Sequence, residues 1–172
     1  MNNLARSFLL LAEAFRYPVP GQQEKLEKGV QLLSSGREKD LTGAFLAQVS
    51  RLSLGAWEEL HTRTLDLNPP AAPYIGFQTW GESYQRGEFM SKMNAVLMRD
   101  GIDTDGELPD HLIPIFRYLA SAGEPLPELI EALDPALQRM TAALRSAEAG
   151  NPYIYLFEAA QVLVKQIKKE PV

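Results

Sequence analysis

Apolar residues in this chain recur at helical spacing and nowhere at strand spacing, which limits its possible folds more than any other property. In Leu4 to Tyr17, "LARSFLLLAEAFRY", the positions Leu4, Phe8, Leu11 and Phe15 fall at i, i+4, i+7 and i+11, the stripe of an amphipathic helix. The "YPVPG" that follows ends it, because proline lacks an amide hydrogen and disfavours helix in the residue before it. The same reading predicts helices over 22–34, closed by Gly36, over about 38–52, and through "GAWEELHTRTL". The segment "DLNPPAAPYIG" holds three prolines and a glycine in eleven residues and reads as a loop. A long helical pattern returns from about Thr79 to Arg99 and stops at the polar "DGIDTDGE". Further helices are expected over 110–121, over 126–133, and over 135–148, with Asp134 as N-cap and Pro135 at the first helical position. A last helix over about 152–168 finishes in "KQIKK", whose cations complement the negative end of the helix dipole. No run combines period-two alternation with β-branched enrichment. The expectation is an all-α fold, a single compact multi-helix bundle of eight to nine helices, without an internal repeat.

A chain of 172 residues suits one domain with one sizeable core, and 45% hydrophobic against 23% charged residues is ordinary globular usage. The chain contains no cysteine, which excludes disulfides, thiolate zinc sites and cysteine nucleophiles. In the opening apolar run Glu13 intervenes, Arg16 follows, and no small-residue cleavage site appears, so it reads as a helix and not a signal peptide. Nowhere do 18 apolar residues run together, so no membrane insertion is expected and a cytoplasmic location is. A net charge of −5 argues against nucleic-acid binding and suits a basic partner.

The chemistry centres on "GELPDHLIPIF", Gly106 to Phe116, where Asp110 stands beside His111 between Pro109 and Pro114. Adjacent residues on a helix point about 100° apart, which opposes a catalytic dyad, and no GxSxG elbow supplies a serine nucleophile. His61 and His111 are the two imidazoles, too few for a histidine metal site, and no Glu-x-x-His or EF-hand spacing occurs. No glycine-rich phosphate loop is present. No catalytic residue, metal or cofactor is therefore expected. A helix start accounts for most of the stretch: Glu107 and Asp110 lie near the positive end, Pro109 sits at or just before the first turn, and Leu112, Ile115, Phe116 and Leu119 form the buried face. Pro114 then requires a helix that begins close to Asp110. His111 would be left exposed in the wrong half of that helix for a protonated imidazole. In "NPPAAPYIGFQTWGESY", Tyr74, Phe77, Trp80 and Tyr84 crowd around Gly76 and Gly81, either as core or as the wall of a groove that grips an apolar peptide.

Together, "LDLNPPAAPYIGFQTWGESYQRGEFM" and, after a helix and a polar loop, "ELPDHLIPIFRYLA" resemble the TorD/DmsD/NarJ family of redox-enzyme maturation chaperones, nearest to its nitrate reductase delta-subunit-like branch. The opening "LLLAEAFRYP" and the motif order agree, so the likeness covers roughly residues 4 to 120. Its most specific part is Glu107, Pro109, Asp110 and His111, which match the family's E-x-P-D-H signature. Pro69, Tyr74 and "GESYQRG", Gly81 to Gly87, are supporting matches.

The resemblance implies a non-enzymatic cytoplasmic chaperone. Its partner would be the catalytic subunit of a molybdopterin-containing oxidoreductase, held through an N-terminal leader for cofactor insertion and delayed export. A twin-arginine leader is basic and then apolar, so an acidic groove with aromatic walls is a fitting receptor. Asp110 would pair with a leader arginine, His111 would act as a neighbouring donor or acceptor, and Pro109 and Pro114 would fix the backbone between them. Tyr74, Phe77, Trp80 and Tyr84 would line the groove. The alternatives are a small helical acid–base enzyme using Asp110, His111 and a carboxylate such as Glu82, and a permanent structural subunit of the oxidoreductase. A monomer or a homodimer that exchanges helices through "DGIDTDGE" is expected.

Overall fold

The structure, a computed structural model, describes residues 1–169. Among them the chain is all-α, with nine α-helices and no strand. They are α1 (Asn3–Ala14), α2 (Gln22–Leu32), α3 (Arg37–Val49), α4 (Leu54–His61), α5 (Ile75–Trp80), α6 (Tyr84–Arg99), α7 (Leu112–Ser121), α8 (Pro127–Ala147) and α9 (Tyr153–Lys169). No helix among the described residues is long and apolar enough to cross a membrane.

Helix α1 packs chiefly on α7, while α3 and α8 flank α9. Aromatic rings join these layers. Phe8 and Phe15 of α1 lie 5.8 and 5.9 Å from Phe116 of α7, and Phe15 lies 5.5 Å from Phe157 of α9. Tyr153 continues the stack to Phe45 at 5.1 Å, and its hydroxyl accepts a hydrogen bond from Trp57 Nε1. Tilted and edge-on rings bury large apolar area while keeping favourable quadrupole geometry. The i, i+4, i+7 stripe of α1 is therefore the face that meets α7 and α9.

Three helix boundaries differ from expectation. The segment 126–148 is one helix, α8, with Pro127 in its first turn and Pro135 inside it. Pro135 costs that helix a hydrogen bond and about 3 kcal/mol. Leu129 and Leu133 before the proline share one buried face with Ala136, Leu137, Met140 and Leu144 after it, and burial at roughly 1.5–3 kcal/mol for each large side chain outweighs the break. Asp134 is consequently an interior helix residue and not an N-cap. The pattern from Thr79 to Arg99 divides at Gly81, whose φ of +66° belongs to the left-handed region that glycine adopts freely. Ser83 then caps α6 through the Arg86 amide. The proline-rich loop contains a 3-10 turn, Pro69–Ala71, and α5 already begins at Ile75.

Candidate functional site

The two segments singled out by sequence meet. Between them runs an isolated antiparallel bridge, in which the Ile75 amide donates to the Asp110 carbonyl at 2.8 Å and the Leu112 amide donates to the Pro73 carbonyl at 2.9 Å. Pro73 disfavours helix in the residue before it, and its own carbonyl is the one that pairs with the Leu112 amide.

Asp110 is fully buried and bound to a residue of its own chain. Arg86 of α6 donates from Nε to Asp110 Oδ2 at 2.9 Å and from Nη2 to Oδ1 at 3.4 Å. Its guanidinium carbon also lies 5.7 Å from the Tyr74 ring and 5.6 Å from the Phe77 ring. A forked, desolvated pair between aromatic faces is a strong contact. The Asp110 carboxylate is thus occupied and closed to solvent, which differs from its expected role as the residue that receives a leader arginine. Gly76 allows the approach, since a Cβ there would stand 2.7 Å from Asp110 Oδ2. Arg86, within "GESYQRG", is the residue sequence reasoning overlooked.

His111 is buried, contrary to the exposed position expected of it. It is the N-cap of α7, and its Nδ1 accepts the Ile113 amide at 3.0 Å. Helix α7 therefore starts at Leu112, two residues after Asp110. Pro114 falls in the first turn, where an amide has no helical partner in any case. The Tyr74 ring stands edge-on to His111 at 5.0 Å, and its hydroxyl donates to Glu107 Oε2 at 3.4 Å. None of the four aromatic candidates is fully buried, and none lines the cavity beside this junction. Tyr74 and Phe77 are half-buried around Arg86, Trp80 packs on Phe89 at 5.0 Å, and Tyr84 is 80% exposed. Pro109 is half-buried and Pro114 buried.

Beside this junction is a cavity of about 310 Å³, lined by Phe15, Tyr17, His61, Asp66, Asp105, Glu107 and His111 among others. The α4 helix delivers His61, and a π-type turn, Thr62–Asp66, follows. This turn closes through the Leu67 amide to the Thr62 carbonyl. Turns of this kind are wider than an α-turn and recur at functional sites. Here the turn leaves Asp66 Oδ2 4.0 Å from His61 Nδ1. Asp105 enters from a turn in which its own φ is +58°, a left-handed conformation that aspartate tolerates better than most residues. Arg16 donates to Asp105 at 3.0 Å and to Glu13 at 3.2 Å.

Both histidines are neutral by construction. His61 Nε2 lies 3.0 Å from the Phe15 carbonyl; the carbonyl has no proton, so Nε2 carries it and Nδ1 presents a lone pair. That Nδ1 is buried and lacks a partner among the described residues. Burial pushes the His61 pKa down, against the opposing pull of the Phe15 carbonyl and Asp66. Burial likewise pushes His111 down to about 3, with His61 as a smaller cause. Since His111 Nδ1 accepts the helix amide, its remaining Nε2 carries the proton and faces Glu107 Oε2 at 3.8 Å. Burial raises the Glu107 pKa; the Tyr74 hydroxyl opposes that rise, and Asp66 and Asp105 add to it.

The cavity thus gathers three carboxylates and a lone-pair nitrogen; Arg16 already serves Asp105 and the Tyr74 hydroxyl serves Glu107, so Asp66 and His61 Nδ1 are the acceptors that an N–H-rich cation would satisfy first. Leu67 and Leu108, adjoining Asp66 and Glu107 in the chain, are 73% and 49% exposed, and Tyr17 is 49% exposed, so apolar side chains accompany the acidic ones. Among the described residues no group of three or more His, Asp or Glu is placed to hold a metal. No protein-family model matches the chain, and no curated protein matches it significantly.

Proposed function

We propose that the protein is a dedicated cytoplasmic chaperone of the TorD/DmsD/NarJ kind. It binds the basic N-terminal leader, or the apo form, of the catalytic subunit of a molybdopterin-containing oxidoreductase, assists cofactor insertion and assembly, and delays export. The observation that supports this reading is the acceptor-rich cavity beside the Glu107–His111 signature, with exposed Leu67 and Leu108 nearby in sequence. Such a surface complements a segment that is basic and then apolar. Within the signature, Glu107 faces the partner, while Asp110 and His111 hold the shape of the wall. Asp110 anchors Arg86, and His111 caps α7.

Acid–base chemistry by Asp110 and His111, the enzymatic alternative, has little support in this arrangement. The carboxylate is engaged by Arg86, and the histidine Nδ1 lone pair is engaged by a backbone amide. Glu82, the carboxylate considered with them, is exposed on the far side of Gly81 in the chain.

Calorimetric titration tests the reading, using a synthetic peptide of the N-terminal leader of a molybdopterin-containing catalytic subunit. Saturable binding by the wild type is expected, and it weakens in Asp66→Asn and Glu107→Gln while circular dichroism stays unchanged. These replacements remove cavity charge without touching the Arg86–Asp110 pair. Binding that is indifferent to both, or absent from the wild type and from co-purification with the full-length subunit, refutes it. Recovery of the chain as a stoichiometric component of the mature oxidoreductase would favour a structural subunit instead.

A further inference from the structure

A second recess has the opposite chemistry. Helices α1 and α2 face each other along residues 6, 9, 10 and 13 on one side and 25, 29 and 32 on the other, spacings that share a helix face. They border a groove of about 560 Å³, within the roughly 300–1,000 Å³ that accommodates a drug-sized ligand or a few side chains. The groove is apolar: Leu10 lines it, and Met1, Leu9 and Leu32 stand 77%, 38% and 67% exposed around it. Gly29 permits the close approach of the helices, because a Cβ there would come within 2.4 Å of Leu10 Cδ1.

Arg6, Lys25 and Arg117 also border the groove, with Glu13 as the one carboxylate among its lining residues; Arg117 donates to the Asp103 carbonyl at 2.7 Å, with the Asp103 carboxylate 3.9 Å away. The Glu13 carboxylate is shared between Lys25 at 3.1 Å and Arg16 at 3.2 Å. Arg6 is exposed at the rim of the groove. On a chain with a net charge of −5, this patch is locally positive and repels the basic segment that suits the acidic cavity. An apolar trough between helices, with exposed leucines at its lip, is the form that accepts the apolar stripe of another helix.

We propose that the α1–α2 groove docks an amphipathic α-helix of a partner protein whose apolar stripe is flanked by aspartate or glutamate. The occupant is distinct from the leader and binds on a separate surface. Charge complementarity with Arg6, Lys25 and Arg117 sets its orientation and raises its association rate, and Leu9, Leu10 and Leu32 receive its leucine-type anchors.

The test uses two synthetic helical peptides with leucines at i, i+3, i+4 and i+7, one flanked by glutamates and the other by lysines at the same positions. Fluorescence anisotropy compares their binding to the wild-type chain and to Arg6→Glu and Leu32→Ser, both at exposed positions. The glutamate peptide saturates the wild type. It binds at least about tenfold more weakly to either variant, and the lysine peptide binds at least about tenfold more weakly to the wild type. Arg6→Glu narrows the preference between the two peptides, and a basic leader peptide does not displace the glutamate peptide. Absence of saturable binding, equal binding of both peptides, indifference to both substitutions or displacement by the basic peptide overturns the proposal. So does sedimentation showing that a second copy of the chain fills the groove.

Discussion

Replacing Arg86 with alanine isolates the central contact of the signature region. The Asp110 side chain is fully buried, that of Arg86 is 13% exposed, and both carboxylate oxygens take their hydrogen bonds from Arg86. Water cannot easily substitute on the Gly76 side, where even a methyl group would come within 2.7 Å of Oδ2. Removing the guanidinium therefore strands a desolvated charge, and breaking a buried pair from one side costs about 3–5 kcal/mol. With a urea slope of about 2 kcal/mol/M, the unfolding midpoint should fall by about 1.5–2.5 M. Urea titration followed by circular dichroism and tryptophan fluorescence measures this. The double variant Arg86→Met/Asp110→Leu should recover most of the loss, because an apolar pair of similar volume removes the stranded charge. A loss below about 1 kcal/mol for Arg86→Ala, or a double variant no better than the single one, would refute the view that this pair is desolvated.

Acid sensitivity should trace to the buried histidines. In the native chain burial pushes His111 down to about 3, from 6.5 for the free side chain. Between those values the unfolded chain binds the extra proton, so its stabilising contribution is complete above about 6.5 and is lost as pH falls toward 3. The lowered pKa of His61 acts in the same direction. His111→Asn keeps a good N-cap acceptor while removing the titration, so its urea midpoint should fall less than that of the wild type from neutral to acid pH; parallel falls would contradict this. Pro135→Ala restores an amide at an exposed position inside α8 and should raise stability by about 1–3 kcal/mol in urea unfolding, whereas a loss would show that the helix depends on the proline. Gly76→Ala should lower stability by about 1–3 kcal/mol, since its methyl group crowds Asp110 Oδ2 at 2.7 Å and Arg86 Cγ and Phe89 Cδ1 at 3.1 Å; a gain, as helix propensity alone predicts, would show that the junction relaxes freely.

The helical class, the amphipathic stripe of α1 and the punctuation by Pro18, Pro20, Gly36 and Pro69 were legible because each depends on spacing or local backbone preference, which the sequence carries directly. The same kind of rule failed at Pro135: the burial of Leu133 on one side and Leu137 on the other, which holds α8 together across the proline, exists only once the elements packed on α8, namely α9, α5 and the Pro69–Ala71 turn, are in place. His111 and Asp110 were legible as unusual residues, yet their tasks were not. A histidine becomes an N-cap only when the following amide has no helical partner and its ring is folded beneath Tyr74, and an aspartate becomes an internal anchor only when an arginine 24 residues away is brought to it. The cavity is the extreme case. His61 and Asp66 lie on one stretch of chain and Asp105 and Glu107 on another about 40 residues away, and a π-type turn and a left-handed aspartate direct their side chains to one place. Periodicity along the chain determines which elements form, but the convergence of polar atoms in a desolvated space depends on how those elements pack.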